Sequence, residues 1–157
     1  MAENGEIVEV QVNDGIYVYK NIDNGNYSFS YQLTDPAFSF LNYAETTSDY
    51  QYSVVGSMAS KKVYVLKFEE NYFSLYQIIS ANNSVIKPSI TDDHSYIAFG
   101  DKKLTENVVE IYSFNPNIGF FEKFKTQIVD KGVPQYCSLS ANHKTLIVST
   151  TDQTEIH

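Results

Sequence analysis

Ser89-Ile90-Thr91-Asp92-Asp93-His94-Ser95-Tyr96-Ile97-Ala98 and Ser138-Leu139-Ser140-Ala141-Asn142-His143-Lys144-Thr145-Leu146-Ile147 are two copies of one pattern, and 49 residues separate Ser89 from Ser138. Each copy reads as a strand, a polar turn and a second strand. Asp and Asn side chains bond the backbone two residues on and tolerate left-handed conformations, which suits a tight reversal between paired strands. His94 and His143 fall inside these turns and are read as turn residues. A fixed period of this size marks a fold assembled from one repeated supersecondary unit.

Working outward, a second echo joins Val63-Tyr64-Val65-Leu66-Lys67-Phe68 to Val109-Glu110-Ile111-Tyr112-Ser113-Phe114, 46 residues later. Each run is followed by polar residues and an aromatic strand: Tyr72-Phe73-Ser74-Leu75-Tyr76-Gln77-Ile78 after the first, Phe120-Phe121-Glu122-Lys123-Phe124 after the second. The N-terminal third repeats this half-unit as Gly15-Ile16-Tyr17-Val18-Tyr19-Lys20, a turn, and Tyr27-Ser28-Phe29-Ser30-Tyr31-Gln32-Leu33. Asn24-Gly25 lies between the two runs, and both residues accept positive φ at low cost, so this is a strong hairpin signal. No stretch carries an apolar stripe with a 3.6-residue period, and no helix is expected.

Composition agrees with an all-β chain. Of 157 residues, 13 are Tyr and 10 are Phe, and aromatic side chains pack well on a pleated, half-buried surface. A formal charge of −8 repels a phosphate backbone, which argues against nucleic acid as a partner. The single cysteine, Cys137, cannot form an internal disulfide and is read as a small buried side chain. One cysteine and no secretory leader fit a reducing compartment and favour the cytoplasm. No apolar stretch approaches the ~20 residues that a membrane helix needs, so no membrane insertion is expected.

The segment from Ser138 to Ser149 resembles the Ser-x-Ser-Pro-Asp-Gly-Lys-x-Leu turn of WD-repeat and TolB-type β-propellers, with Ala141, Asn142 and His143 standing for Pro, Asp and Gly. The family's Trp-Asp pair is missing, and Ile111-Tyr112 and Leu66-Lys67 stand in its place. The resemblance implies antiparallel four-stranded blades, labelled a to d from the inside outwards. Blade pieces then cover 6–33, full blades cover 37–79 and 86–128, and a further blade starts within 134–157. In this parse the second blade opens with an inner strand at 37 to 43. About three blades cannot close a ring, which takes four to eight, so the ring is expected to be incomplete within this chain. The missing blades would come from the same or another chain, because an uncovered blade face is a large apolar patch.

No residue set declares a chemistry. Asp92-Asp93-His94 is the one acidic group with a histidine, yet the related turn Asn142-His143 lacks the acids, as a structural repeat would. Serines are abundant, but there is no Gly-x-Ser-x-Gly elbow and no phosphate-cradling glycine loop. The expectation is therefore a non-catalytic interaction or scaffold module with no cofactor and no metal, binding a protein partner through its loops. Lys61, Lys62, Lys102 and Lys103 fall on equivalent loops between strands b and c and are the candidate partner-binding residues. The alternative is a segment of an enzymatic or carbohydrate-binding propeller with its site near the central axis. A funnel lined by carboxylates and aromatics would favour that alternative.

Overall fold

The computed structural model describes residues 7–12, 15–36, 38, 40–69, 72–102, 106–140, 142, 144–151 and 154–156. Among them there is no helix, and so none long and apolar enough to cross a membrane. The strands are β1 (Ile7–Val12), β2 (Gly15–Asp23), β3 (Asn26–Thr34), β4 (Leu41–Thr46), β5 (Tyr52–Ser57), β6 (Lys62–Glu69) and β7 (Tyr72–Ser80). They continue as β8 (Ser84–Ile90), β9 (Tyr96–Lys102), β10 (Asn107–Asn115), β11 (Phe120–Val129), β12 (Pro134–Leu139), β13 (Leu146–Thr150) and β14 (Thr154–Ile156).

They form four antiparallel meanders in chain order: β1-β2-β3, β4-β5-β6-β7, β8-β9-β10-β11 and β12-β13-β14. Strands β4, β8 and β12 pack in succession as the innermost strands, and β5 and β9 also touch the inner strand of the next sheet. The chain is thus an all-β stack of propeller-type blades whose sheets do not close into a ring.

Each sheet must bury both of its faces against neighbours, and the side-chain alternation of a strand shows how. Val63 and Val65 of β6 join Val85, Ile97 and Phe99 in the core between the second and third sheets. Tyr64 and Leu66, pointing the other way, join Ile16 and Val18 in the core between the first and second. A third cluster, with Ala98, Val109, Ile111, Cys137 and Val148, lies between the third and fourth. The unbroken apolar run Val63-Tyr64-Val65-Leu66 is what a strand covered on both faces requires.

The repeated turn occurs three times. Thr47, Thr91 and Ser140 each give a backbone N–H to the carbonyl five residues on, in Tyr52, Tyr96 and Thr145. Their hydroxyls accept the N–H of the same three residues at 3.1, 3.0 and 3.0 Å. Asp49, Asp93 and Asn142 take the N–H two positions on. The position between is left-handed, with φ of 63° at Tyr50 and 60° at His94. His143 lies outside the described residues.

One expected strand is displaced. The inner strand placed at 37 to 43 runs instead over Leu41–Thr46. Phe38 donates its N–H to Asp35 O at 2.9 Å in a turn and buries its ring against Tyr64 at 4.9 Å between centroids. Its aromatic character reflects a core anchor in a loop.

Close approach of adjacent sheets depends on two glycines. A Cβ added at Gly56 would lie 2.7 Å from Pro88 Cδ, and one at Gly100 would lie 2.9 Å from Pro134 Cβ. Each glycine sits in the second strand of its sheet and admits a proline from the next sheet's inner strand. Gly100→Ala is therefore expected to destabilise the chain by about 1–3 kcal/mol through overpacking, read as a lower urea midpoint.

Candidate ligand site on the inner strands

Tyr43 on β4, Lys87 on β8 and Tyr136 on β12 occupy equivalent places by residue spacing and meet across the three innermost strands. Lys87 Nζ lies 5.0 Å from the centroid of the Tyr43 ring and 5.9 Å from that of Tyr136. Both tyrosines are exposed. An ammonium within ~6 Å of an aromatic face is attracted by the ring quadrupole. No carboxylate of the described residues lies within ion-pair distance of Lys87. In a chain of net charge −8, this half-buried cation lies against two rings and no carboxylate of the described residues.

The backbone beneath it is irregular. Each inner strand breaks register with its neighbour close to these residues, between Leu41 and Tyr43, between Ile86 and Ser89, and between Pro134 and Tyr136. Bulges re-aim side chains that regular pleating would bury. Lys87 has φ of 32°, a conformation that costs a non-glycine residue energy. Its carbonyl accepts the Cys137 thiol at 4.0 Å. Cys137 is fully buried, and burial pushes its thiol up to about 12, so it stays protonated.

Glu45 lies two residues beyond Tyr43 on the same face of β4 and is half-buried. Burial, and then the charge of Asp92, raise its carboxyl from the ordinary 4.5 to about 7, although the Ile90 N–H donated to it acts the other way. Asp92 itself accepts the Ser48 N–H at 2.8 Å, and His94 Nε2 meets Asp49 at 3.0 Å, so the turns of the second and third sheets are clasped together. The Asp92-Asp93-His94 group is thus divided, since Asp93 is engaged with Ser95.

The lysines singled out in the sequence lie elsewhere. Lys61 is exposed in the β5–β6 turn with φ of 58°, and its carbonyl accepts the Ala81 N–H at 2.9 Å. Lys62 opens β6 half-buried, and Lys102 ends β9 exposed. Lys103 lies outside the described residues. The signal for the inner-strand cluster was present, because extending the 49-residue match two positions back from Ser89 and Ser138 aligns Lys87 with Tyr136.

No protein-family model matches the sequence, and no curated protein does either. Solved structures share the fold. A protein of Bacteroides uniformis ATCC 8492, named provisionally as a 6-phosphogluconolactonase, superimposes with a TM-score of 0.80 at 16% identity over 99% of this chain and 48% of its own. The periplasmic gluconolactonase of Pseudomonas aeruginosa gives 0.74 at 13% identity over 99% and 47%. Hydrazine synthase of Kuenenia stuttgartiensis gives 0.75 at 13% over 99% and 44%. The chain spans about half the length of these structures, and at such identities the likeness is one of fold. It supports a propeller-type fold and does not single out the WD-repeat class. The expectation of a non-catalytic chain, drawn from the lack of a recognised catalytic motif, is corrected: structures of the same fold are named for enzymatic activity, so the missing motif argues for no absence of chemistry.

Two outcomes follow from the geometry. With its folded pKa raised, ionising Glu45 costs stability, so the urea midpoint should fall as pH rises from about 4.5 to about 7 and level off above. Glu45→Gln should flatten that slope. Lys87→Gly should relieve the left-handed strain by about 1 kcal/mol and raise the midpoint while removing the cation.

Proposed function

We propose that this chain supplies part of the small-ligand site of an enzymatic propeller that acts on an anionic, polyhydroxylated compound of the sugar-lactone class. The observation that carries this reading is the Lys87 ammonium held between the Tyr43 and Tyr136 rings across three inner strands, without a carboxylate partner among the described residues. Rings beside hydroxylated carbon and a cation beside a phosphate or carboxylate are the complements such a ligand needs. Names carried by structures of the same fold support the substrate class.

In lactone hydrolysis water adds to the carbonyl carbon, the ring C–O bond breaks, and a carboxylate and a hydroxyl result. Lys87 is suited to hold the ligand's anion or the developing oxyanion. Glu45, poised near neutrality, is suited to take the proton from the attacking water. The chain's share of the site would be completed by groups outside it.

The test is calorimetric titration of 6-phosphogluconate into the chain. Wild type should bind, Lys87→Gln should bind about tenfold more weakly, and Lys61→Gln should bind as wild type does. Equal affinity in the Lys87 variant, or no binding by wild type at millimolar ligand, rejects the reading.

A further inference from the structure

Where the turns of the second and third sheets meet, they leave a cavity of about 360 Å³. Gln51 and Tyr52 line it from one turn, Asp93 and His94 from the other, and Phe114 and Pro116 from β10 and the hairpin that follows. Both sheets carry four strands.

The repeated fold does not require this space. Tyr50 and His94 hold the same left-handed place in successive turns, with φ of 63° and 60°. Tyr50 is buried in the cluster between the first and second sheets, with Ile16 and Val18, and Phe68 packs against it. One sheet later the 46-residue match puts Phe114 in the place of Phe68, but an imidazole stands in the place of the phenol. Where Tyr50 fills its interface, the smaller His94 leaves room.

His94 is also fixed in position. Its Nε2 meets Asp49 at 3.0 Å, and its ring lies 5.0 Å from that of Tyr52 between centroids. A carboxylate only accepts, so Nε2 donates, and a neutral ring then keeps Nδ1 as an acceptor. Asp93 accepts the N–H and the hydroxyl of Ser95 and brings a negative charge to the wall. Among the described residues no lysine lines the cavity. Lys67, the cation whose charge acts on Tyr52, is bound to Glu69 at 2.7 Å.

We propose that this cavity binds a guanidinium group from outside the chain, its plane against Phe114 and Pro116 and its N–H groups directed to Asp93 and His94. A guanidinium is planar and weakly hydrated, stacks on rings and presents a fork of donors that matches a carboxylate. An ammonium is compact and strongly hydrated, so flat walls suit it less. The sequence contains no arginine, so neither this chain nor a second copy supplies the group. A net charge of −8 favours the approach of a cation.

The test is an NMR titration of the whole chain with butylguanidine, followed at the amides of Gln51, His94 and Ser95. Saturable shifts are expected by about 10 mM, and the neutral isostere butylurea should produce none. Asp93→Asn keeps the turn, as Asn142 does in the fourth sheet, and should weaken binding about tenfold. His94→Tyr, which copies the preceding interface, should fill the cavity and abolish binding. Lys87→Gln should leave the affinity unchanged, which separates this cavity from the inner-strand site. Nα-acetylarginine methylamide carries the same group on a peptide backbone: tighter binding than butylguanidine assigns the ligand to an arginine side chain, weaker binding to a free guanidine. Equal shifts with butylurea, no saturable shift with butylguanidine, or unchanged affinity in Asp93→Asn would each overturn the proposal.

Discussion

Two sheets that must each bury both faces can pack closely only if something gives way where the inner strand of one crosses the second strand of the other. Here a Cβ is what gives way. Gly56 admits Pro88 and Gly100 admits Pro134 at distances that no alanine would tolerate. Pro88 follows Lys87 directly, and proline restricts the backbone of the residue before it. The packing of Pro88 against Gly56 and the bulge between Ile86 and Ser89 therefore lie beneath the left-handed Lys87 and its approach to the Tyr43 and Tyr136 rings. The candidate site follows from the packing constraint that holds the stack together.

From the inner strands outward, the connections between sheets change in kind. The centre is held by apolar clusters that are continuous through alternate residues of each strand. The turns are clasped by Ser48 with Asp92 and by Asp49 with His94. The outer strands are joined by Tyr31 and Gln77, which reach the backbone of the next sheet. Apolar burial supplies most of the driving force, while these directional bonds set the register between neighbouring sheets. Glu110 shows how the two can meet: it is buried among apolar residues yet bound to Lys123 at 2.6 Å and Thr126 at 3.0 Å.

The four-stranded all-β architecture was legible because it rests on local signals. Period-two alternation, Asn24-Gly25 and the repeated Ser/Thr turn each act over a few residues and agree with one another. The inner strand at Leu41–Thr46 was harder, since Ala44 and Glu45 carry little strand preference while Phe38, before it, carries much. The third copy of the turn, at Thr47 to Tyr52, was hidden because Tyr50 and Gln51 resemble nothing at the matching positions. The site was legible only in part, for a different reason: the 49-residue match pairs Lys87 with Tyr136, but nothing in the sequence marks the pair as a site. Tyr43, Lys87 and Tyr136 are ordinary residues in sequence, and only bulges that shift register on three separate strands bring them together. Lysine pairs drew attention by adjacency, which says nothing about convergence in space.

The turns also bear on how such a fold can outlast its sequence. Their shape is fixed by a hydroxyl at the first place and a carboxylate or amide at the third, and either member of each chemical pair serves, as Thr91 with Asp93 and Ser140 with Asn142 show. The fourth place, where glycine would cost least, tolerates both tyrosine and histidine. A code that reads atoms and not residue identities leaves most letters free to drift. Architecture can then persist where alignment fails, as it does against structures sharing only 13–16% of their residues with this chain.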